Sequence, residues 1–256
     1  MNRRIFAQAL GGITAIALMK KQTILARAVS PSEGWESIPA AVSESSWPTE
    51  VAGVRIKKNA TISLAIQELR NTSPRVLVNH AARTFYFGAL IGYANKNNFD
   101  AEILFLACLL HDLGLTEAHM GPLPFEIQGA EVARRLLLAA GLNASSAEVV
   151  WDAIAMHPLA ISGFKRPEIA LVAAGASADV LGAGLGKVDP SQVAEVLEAF
   201  PRLDFKREFV RSCANVVQQY PQGATRTFMR DIGERQVPSF HVKNICDSIE
   251  QAPFAE

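Results

Sequence analysis

An excess of either charge is missing from this chain: 25 Lys and Arg stand against 25 Asp and Glu, and the pI is about 7.0. Without a basic excess or a basic stripe, neither nucleic acid nor an anionic membrane surface is indicated as a partner. A small, roughly neutral substrate suits such a chain. Cysteine is scarce and odd in number, so Cys108, Cys213 and Cys246 cannot all pair within one chain. None has C-x-x-C or zinc-finger spacing, which argues against a cysteine metal site. Cys108 sits in an apolar run and reads as a small core residue, while a Cys213–Cys246 disulfide stays open in an oxidising compartment. Sustained period-two alternation is absent and no repeat is evident, which argues against a sheet or solenoid.

Hydrophobic residues make up 49% of the 256, enough for one good-sized core and too few residues for two large domains. The first residues read differently. Arg3-Arg4-Ile5-Phe6 precedes an apolar stretch from Ala7 to Met19, then Lys20-Lys21 and Ala26-Arg27-Ala28. A basic start, a short apolar middle and an A-x-A site form a secretory signal, and the arginine pair with a weakly apolar middle resembles a twin-arginine signal. An uncleaved amphipathic or anchoring helix is the competing reading, although the stretch is short for a bilayer. We therefore expect a signal over 1–28, a loosely ordered lead-in over 29–58, and one all-α domain over 59–256. The mature protein is expected in the periplasm with no stable membrane insertion, and a homo-oligomer remains open.

Helical punctuation is clear along that domain. Ser73-Pro74 opens a helix that carries His80 and Arg83. Asp100 caps a central helix closing near Gly114, and Gly121-Pro122-Leu123-Pro124 marks residues 115–124 as a loop. Helices are expected from about Glu126 to Ala140, from a capping box at Ser145 to His157-Pro158, and from Pro167 to Leu181. Asp189-Pro190 caps the next, and two more are expected near 205–219 and 239–251.

The central helix carries the chemistry. Its run Ile103-Leu104-Phe105-Leu106-Ala107-Cys108-Leu109-Leu110 is wholly apolar and ends in His111-Asp112. A helix apolar all round is buried, and a buried carboxylate is costly unless paired or bound to metal. His80 upstream and Asp179 downstream supply partners; Asp179 is the only charge between Glu168 and Lys187. Two imidazoles and two carboxylates suit a divalent transition metal, zinc first, with iron, manganese or nickel also compatible.

The order His80, His111-Asp112, Asp179 resembles the H…HD…D pattern of HD-domain metalloenzymes. The local stretches His80-Ala81-Ala82-Arg83-Thr84-Phe85-Tyr86-Phe87-Gly88, Leu109 to Gly114, Phe125-Glu126-Ile127-Gln128-Gly129-Ala130 and Gly175 to Gly182 resemble the cyanamide hydratase-like branch. The likeness runs from about Trp47 to Phe240. It implies a helical HD bundle with His80, His111, Asp112 and Asp179 as metal ligands, and hydration of a nitrile carbon, as in conversion of cyanamide to urea.

Other residues are candidates beside that set. His157 lies on the inward stripe Val150, Ala153, Ile154, His157. It reads as a second-metal ligand, a substrate-binding group or a proton shuttle, or as a core histidine bonded to a carbonyl. Glu117 is a possible proton acceptor and His119 a possible substrate contact, each also readable as a solvated loop residue. Arg83 either binds an anionic part of the substrate or braces a carboxylate such as Asp112 or Glu126. His241 has no supporting context. A phosphohydrolase is the rival activity, but Leu115 stands where such members generally carry an acid, and no Lys/Arg cluster surrounds the ligands. A non-catalytic metal-binding protein is the third reading.

Overall fold

The computed structural model describes residues 47–254. The signal expected over 1–28 and the first part of the lead-in, 29–46, lie outside them. Residues 47–58 are ordered: β1 (Glu50–Val51) and β2 (Val54–Arg55) form a two-stranded antiparallel ribbon. Trp47 anchors it, 4% exposed, with ring centroids 5.8 Å from Phe105 and 5.3 Å from Phe200. The loosely ordered reading is therefore corrected for 47–58, because one buried indole fixes the chain there.

Helices carry almost everything else. They are α1 (Ala60–Thr72), α2 (Arg75–Ala94), α3 (Ala101–Leu110), α4 (Phe125–Ala139), α5 (Ala144–Met156), α6 (Pro167–Leu181), α7 (Pro190–Ala199), α8 (Phe205–Gln219), α9 (Met229–Gln236) and α10 (Ile245–Glu250). Among the described residues no helix is long and apolar enough to cross a membrane.

The core is built around α3, whose residues from Ile103 to Leu110 are all buried. Its N-terminus is held by Asp100, which accepts from the amides of Glu102 and Ile103, and by Glu168 of α6, which accepts from the Asp100 amide at 2.8 Å. Truncating any of Leu104, Leu106, Leu109 or Leu110, all 0% exposed, to alanine would cost about 2–5 kcal/mol. Helices α2 and α6 pack backbone to backbone. A Cβ on Gly175 would lie 2.0 Å from the Thr84 carbonyl oxygen, and one on Gly88 2.7 Å from that of Leu171. Residue pairs 88/171, 84/175 and 80/179 thus line up antiparallel, which sets Asp179 against His80 and Arg83.

A second apolar cluster flanks the same end of the bundle, with Leu77 of α2, Leu115, Phe125 of α4 and Phe205, Phe209 and Cys213 of α8. Two details differ from the expectations, and one open question is closed. Helix α5 is capped by Asn143, which accepts from the Ser146 amide, in place of a Ser145 capping box. The helix expected over 239–251 is only the short α10, with α9 before it. Cys213 is buried, Cys246 is exposed, and all three thiols are free, so Cys213 and Cys246 are not bridged.

Candidate metal centre

Helix α3 stops at Leu110 because the chain turns into a tight 3-10 turn, Leu113–Leu115. The turn is possible at Gly114, where a Cβ would lie 2.0 Å from the Phe125 carbonyl oxygen. This contact seats the start of α4 directly behind His111 and Asp112. Both side chains are buried, as is His80 on α2, and they converge from the two helices.

Their tautomers follow from their partners. His111 Nδ1 lies 2.7 Å from the Cys108 carbonyl, which can only accept, so Nδ1 carries the hydrogen and Nε2 is bare in the neutral ring. His80 Nδ1 lies 2.7 Å from Asp179 Oδ2 and donates to it in the same way. The two bare Nε2 atoms face each other at 3.3 Å. Asp112 Oδ2 sits 3.3 Å from that of His80 and 3.2 Å from that of His111, buried and without a hydrogen-bond donor. Three lone-pair-bearing atoms packed together in a buried place call for a cation between them.

The triangle fits a divalent metal. With ligand bonds of about 2.0–2.2 Å, neighbouring ligands in a tetrahedral site stand roughly 3.3–3.5 Å apart, close to the spacing seen here. His80, His111 and Asp112 form a possible metal-holding group. In the metal-free centre a proton on His80 can stand in for that cation. Burial opposes a charge on His80, but Asp112 and Asp179 override it and raise its pKa above 6.5. Burial likewise opposes ionisation of Asp112, yet His111 and His80 hold it well below the usual carboxylate range.

Asp179 is placed differently from the sequence expectation. It lies behind His80, not among the converging atoms. Its Oδ1 accepts from Arg83 Nε at 2.7 Å and Arg202 Nη1 at 2.7 Å, and its Oδ2 from Arg83 Nη2 at 2.8 Å and His80 Nδ1. Burial would raise its pKa, but His80 and Arg83 bring it down to about 2. Arg83 is also corrected as a substrate contact. It is fully buried and spends its remaining donor, Nη1, on the carbonyls of Phe200 and Pro201. It braces Asp179, not Asp112 or Glu126.

His157 ends α5 at the edge of the triangle. Its Nδ1 donates to the Ile154 carbonyl at 2.7 Å, leaving a bare Nε2 that lies 4.0 Å from Asp112 Oδ1. Its ring meets His111 edge-on at 4.9 Å and Phe125 at 5.7 Å. Burial, then the neighbouring His111, push it down to about 4, so the ring stays neutral. The two loop candidates do not join it. Glu117 is exposed on the turn after Leu115, and His119 is tied to Glu68 of α1 at 2.6 Å.

Two features were missed as site groups. Glu126, in the first turn of α4, is buried with Oε2 unpartnered; burial foremost and the Asp112 charge push it up to about 6. Its signal was a lone acid in the apolar start Phe125-Glu126-Ile127, directly after the loop. Phe205 stacks on the His80 ring at 4.7 Å and lies beneath the guanidiniums of Arg83 and Arg202 at 5.4 and 4.8 Å. No pattern in the sequence announces that stack, since α8 lies far along the chain.

A helical bundle holding two histidines and the aspartate of a His-Asp pair at its centre is the arrangement of an HD domain, and the family model for that domain matches residues 77–197, from α2 to α7. The chain carries an HD domain and is similar to cyanamide hydratases. Cyanamide hydratase DDI2 and cyanamide hydratase DDI3 of Saccharomyces cerevisiae are each 26% identical to it over 167 residues, covering 63% of this chain and 74% of theirs.

Proposed function

We propose that this protein is a metal-dependent hydratase that adds water across the carbon–nitrogen triple bond of a small uncharged nitrile such as cyanamide. The similarity to cyanamide hydratases supports the substrate class. The observation that carries it is the state of the two guanidiniums beside the centre: Arg83 and Arg202 are both already paired with the Asp179 carboxylate. A phosphate dianion needs an uncommitted cationic clamp, whereas a neutral nitrile does not. The phosphohydrolase reading is weakened on the same ground.

His80, His111 and Asp112 would hold the ion, with zinc the first expectation. When bound, a divalent ion supplies a water acidified toward neutrality and polarises the electrophile beside it. His157 presents its bare Nε2 as an acceptor that orients the attacking water, with its tautomer fixed by the Ile154 carbonyl. At about 4 its pKa is too low for it to store the proton. Glu126, at about 6, is better matched to carry that proton to the nitrile nitrogen. Water oxygen joins the carbon, both protons end on the product, and no group leaves. The rings of Phe125, Phe205 and Phe209 wall the centre with apolar surface suited to an uncharged substrate.

Zinc-restored protein offered cyanamide and p-nitrophenyl phosphate tests the reading. Urea formation well above phosphate release is expected; phosphate release without urea would replace it with the phosphohydrolase. The leader read in residues 1–28 makes the enzyme an exported, periplasmic one in this reading. Changing Arg3 and Arg4 to Lys should then hold it in the cytoplasm, and unchanged export would remove the twin-arginine assignment.

A further inference from the structure

We propose that Phe228 is the gate of the metal centre and the residue that limits the width of what reaches it. The assignment rests on the metal centre above, but not on the substrate read for it. Phe228 lies beyond the residues that the HD family model matches, as does Phe209.

Six rings meet in a closed circuit that includes both metal-holding imidazoles. Ring centroids run from His80 to His111 at 5.1 Å, on to His157 at 4.9 Å and to Phe125 at 5.7 Å. The circuit returns from Phe125 to Phe228 at 5.8 Å, to Phe209 at 6.3 Å and to His80 at 5.6 Å. Asp112 faces three of its members, His80, His111 and His157. At such spacings neighbouring rings touch, so the gaps between them are shut. Every ring of the circuit is buried except Phe228, which is partly exposed. It is the one ring that can swing aside into solvent.

Solvent reaches the centre on the same side. The side chains of Asp112 and His157 keep 6% exposure, where those of His80 and His111 keep 1%. Phe125 meets His157 edge-on and Phe228 meets Phe125, so the wetter rim is the one beside the gate. The backbone that carries Phe228 is held before and after it. A Cβ on Gly223 would lie 2.8 Å from the Leu123 carbonyl oxygen, which seats the preceding turn on the 115–124 loop. One on Gly233 would lie 2.8 Å from Val217 Cγ1, which seats α9 on α8. Met229, the next residue, is buried. With the main chain fixed, opening is the rotation of one side chain, and the passage is no wider than its ring. A slender molecule needs a small swing, whereas one bearing an aromatic ring needs the Phe228 phenyl removed.

Cobalt-loaded wild type, Phe228→Ala and Phe228→Trp are mixed with azide, a short rod, and with 4-phenylimidazole while the visible cobalt bands are followed. Azide should bind each protein. 4-Phenylimidazole should bind Phe228→Ala at least roughly tenfold more tightly than wild type. Phe228→Trp should slow azide association, because a larger ring has to move first. An equal response of wild type and Phe228→Ala to 4-phenylimidazole, whether both bind it or neither does, overturns the proposal. So does unchanged azide association in Phe228→Trp, which carries the test should Phe228→Ala fail to fold. Wild type that takes up no cobalt would remove the centre and the gate together. Since none of these measurements uses turnover, wild type that admits azide without hydrating nitriles would sink only the functional reading.

Discussion

His80 and His111 face each other with Nε2 atoms 3.3 Å apart, and in the neutral rings neither atom has a hydrogen to give the other. Each ring has committed its Nδ1 hydrogen elsewhere, to Asp179 and to the Cys108 carbonyl. The buried Asp112 oxygen completes the triangle, so the centre is an arrangement of acceptors that a cation satisfies.

Removing that oxygen should empty the site. Asp112→Ala is expected to lower the metal content of purified protein from about one ion per chain to near zero, as measured by elemental analysis. Full occupancy in the variant would refute the centre assigned to His80, His111 and Asp112.

His157 has a different expected signature. Its bare Nε2 faces the centre without belonging to the triangle, so His157→Gln should keep the metal while lowering turnover roughly 100-fold, the scale expected when a reacting group loses its orientation. Steady-state kinetics beside elemental analysis decides it. Metal lost along with activity would make His157 a ligand instead.

The turn behind the His-Asp pair tolerates only glycine. A Cβ on residue 114 would meet the Phe125 carbonyl oxygen at 2.0 Å, and that atom is backbone that cannot rotate away. Gly114→Ala should therefore destabilise the protein by about 1–3 kcal/mol or more and weaken metal binding, because α4 must shift off the turn. A melting temperature equal to wild type would show that the α4 contact is looser than this.

Much of this was legible in the sequence because the signals were local. The apolar run into His111-Asp112 announced a buried helix end, and Pro167 to Leu181 bounded α6 as found. The ribbon at Glu50–Arg55 was not legible, since two-residue strands have no periodicity and depend on Trp47 reaching Phe105 and Phe200. The same holds for Asp179. Its isolation among Ala, Gly and Val marked an inward carboxylate, but which side of His80 it reaches depends on the antiparallel α2–α6 contact and on Arg202, 23 residues later. Glu117 and His119 illustrate the converse, for their nearness in sequence to Asp112 is undone by a turn that points one to solvent and ties the other to Glu68.

The pH dependence of stability offers a test that needs no substrate. In metal-depleted protein His157 is held near 4, against 6.5 in the unfolded chain, so the unfolded state binds more protons between those values. Its contribution is complete above about pH 6.5 and is lost as pH falls toward 4, at about 1.4 kcal/mol per unit and about 3 kcal/mol in all. Glu126 works against it. Raised from 4.5 to about 6, it binds more protons when folded, and its contribution is lost as pH rises through that range. His80, raised above 6.5, adds a loss on the alkaline side. The wild-type curve alone is therefore nearly flat between about pH 4.5 and 6, and only a difference isolates His157. Urea unfolding of metal-depleted wild type and His157→Gln at pH 7 and pH 4.5 should show the variant gaining roughly 2–3 kcal/mol on wild type at the lower pH. Glu126→Gln should show the opposite trend, losing ground to wild type at the lower pH. Parallel curves for His157→Gln would mean that the ring is not kept neutral by burial, and the orienting role assigned to its bare Nε2 would fall with it.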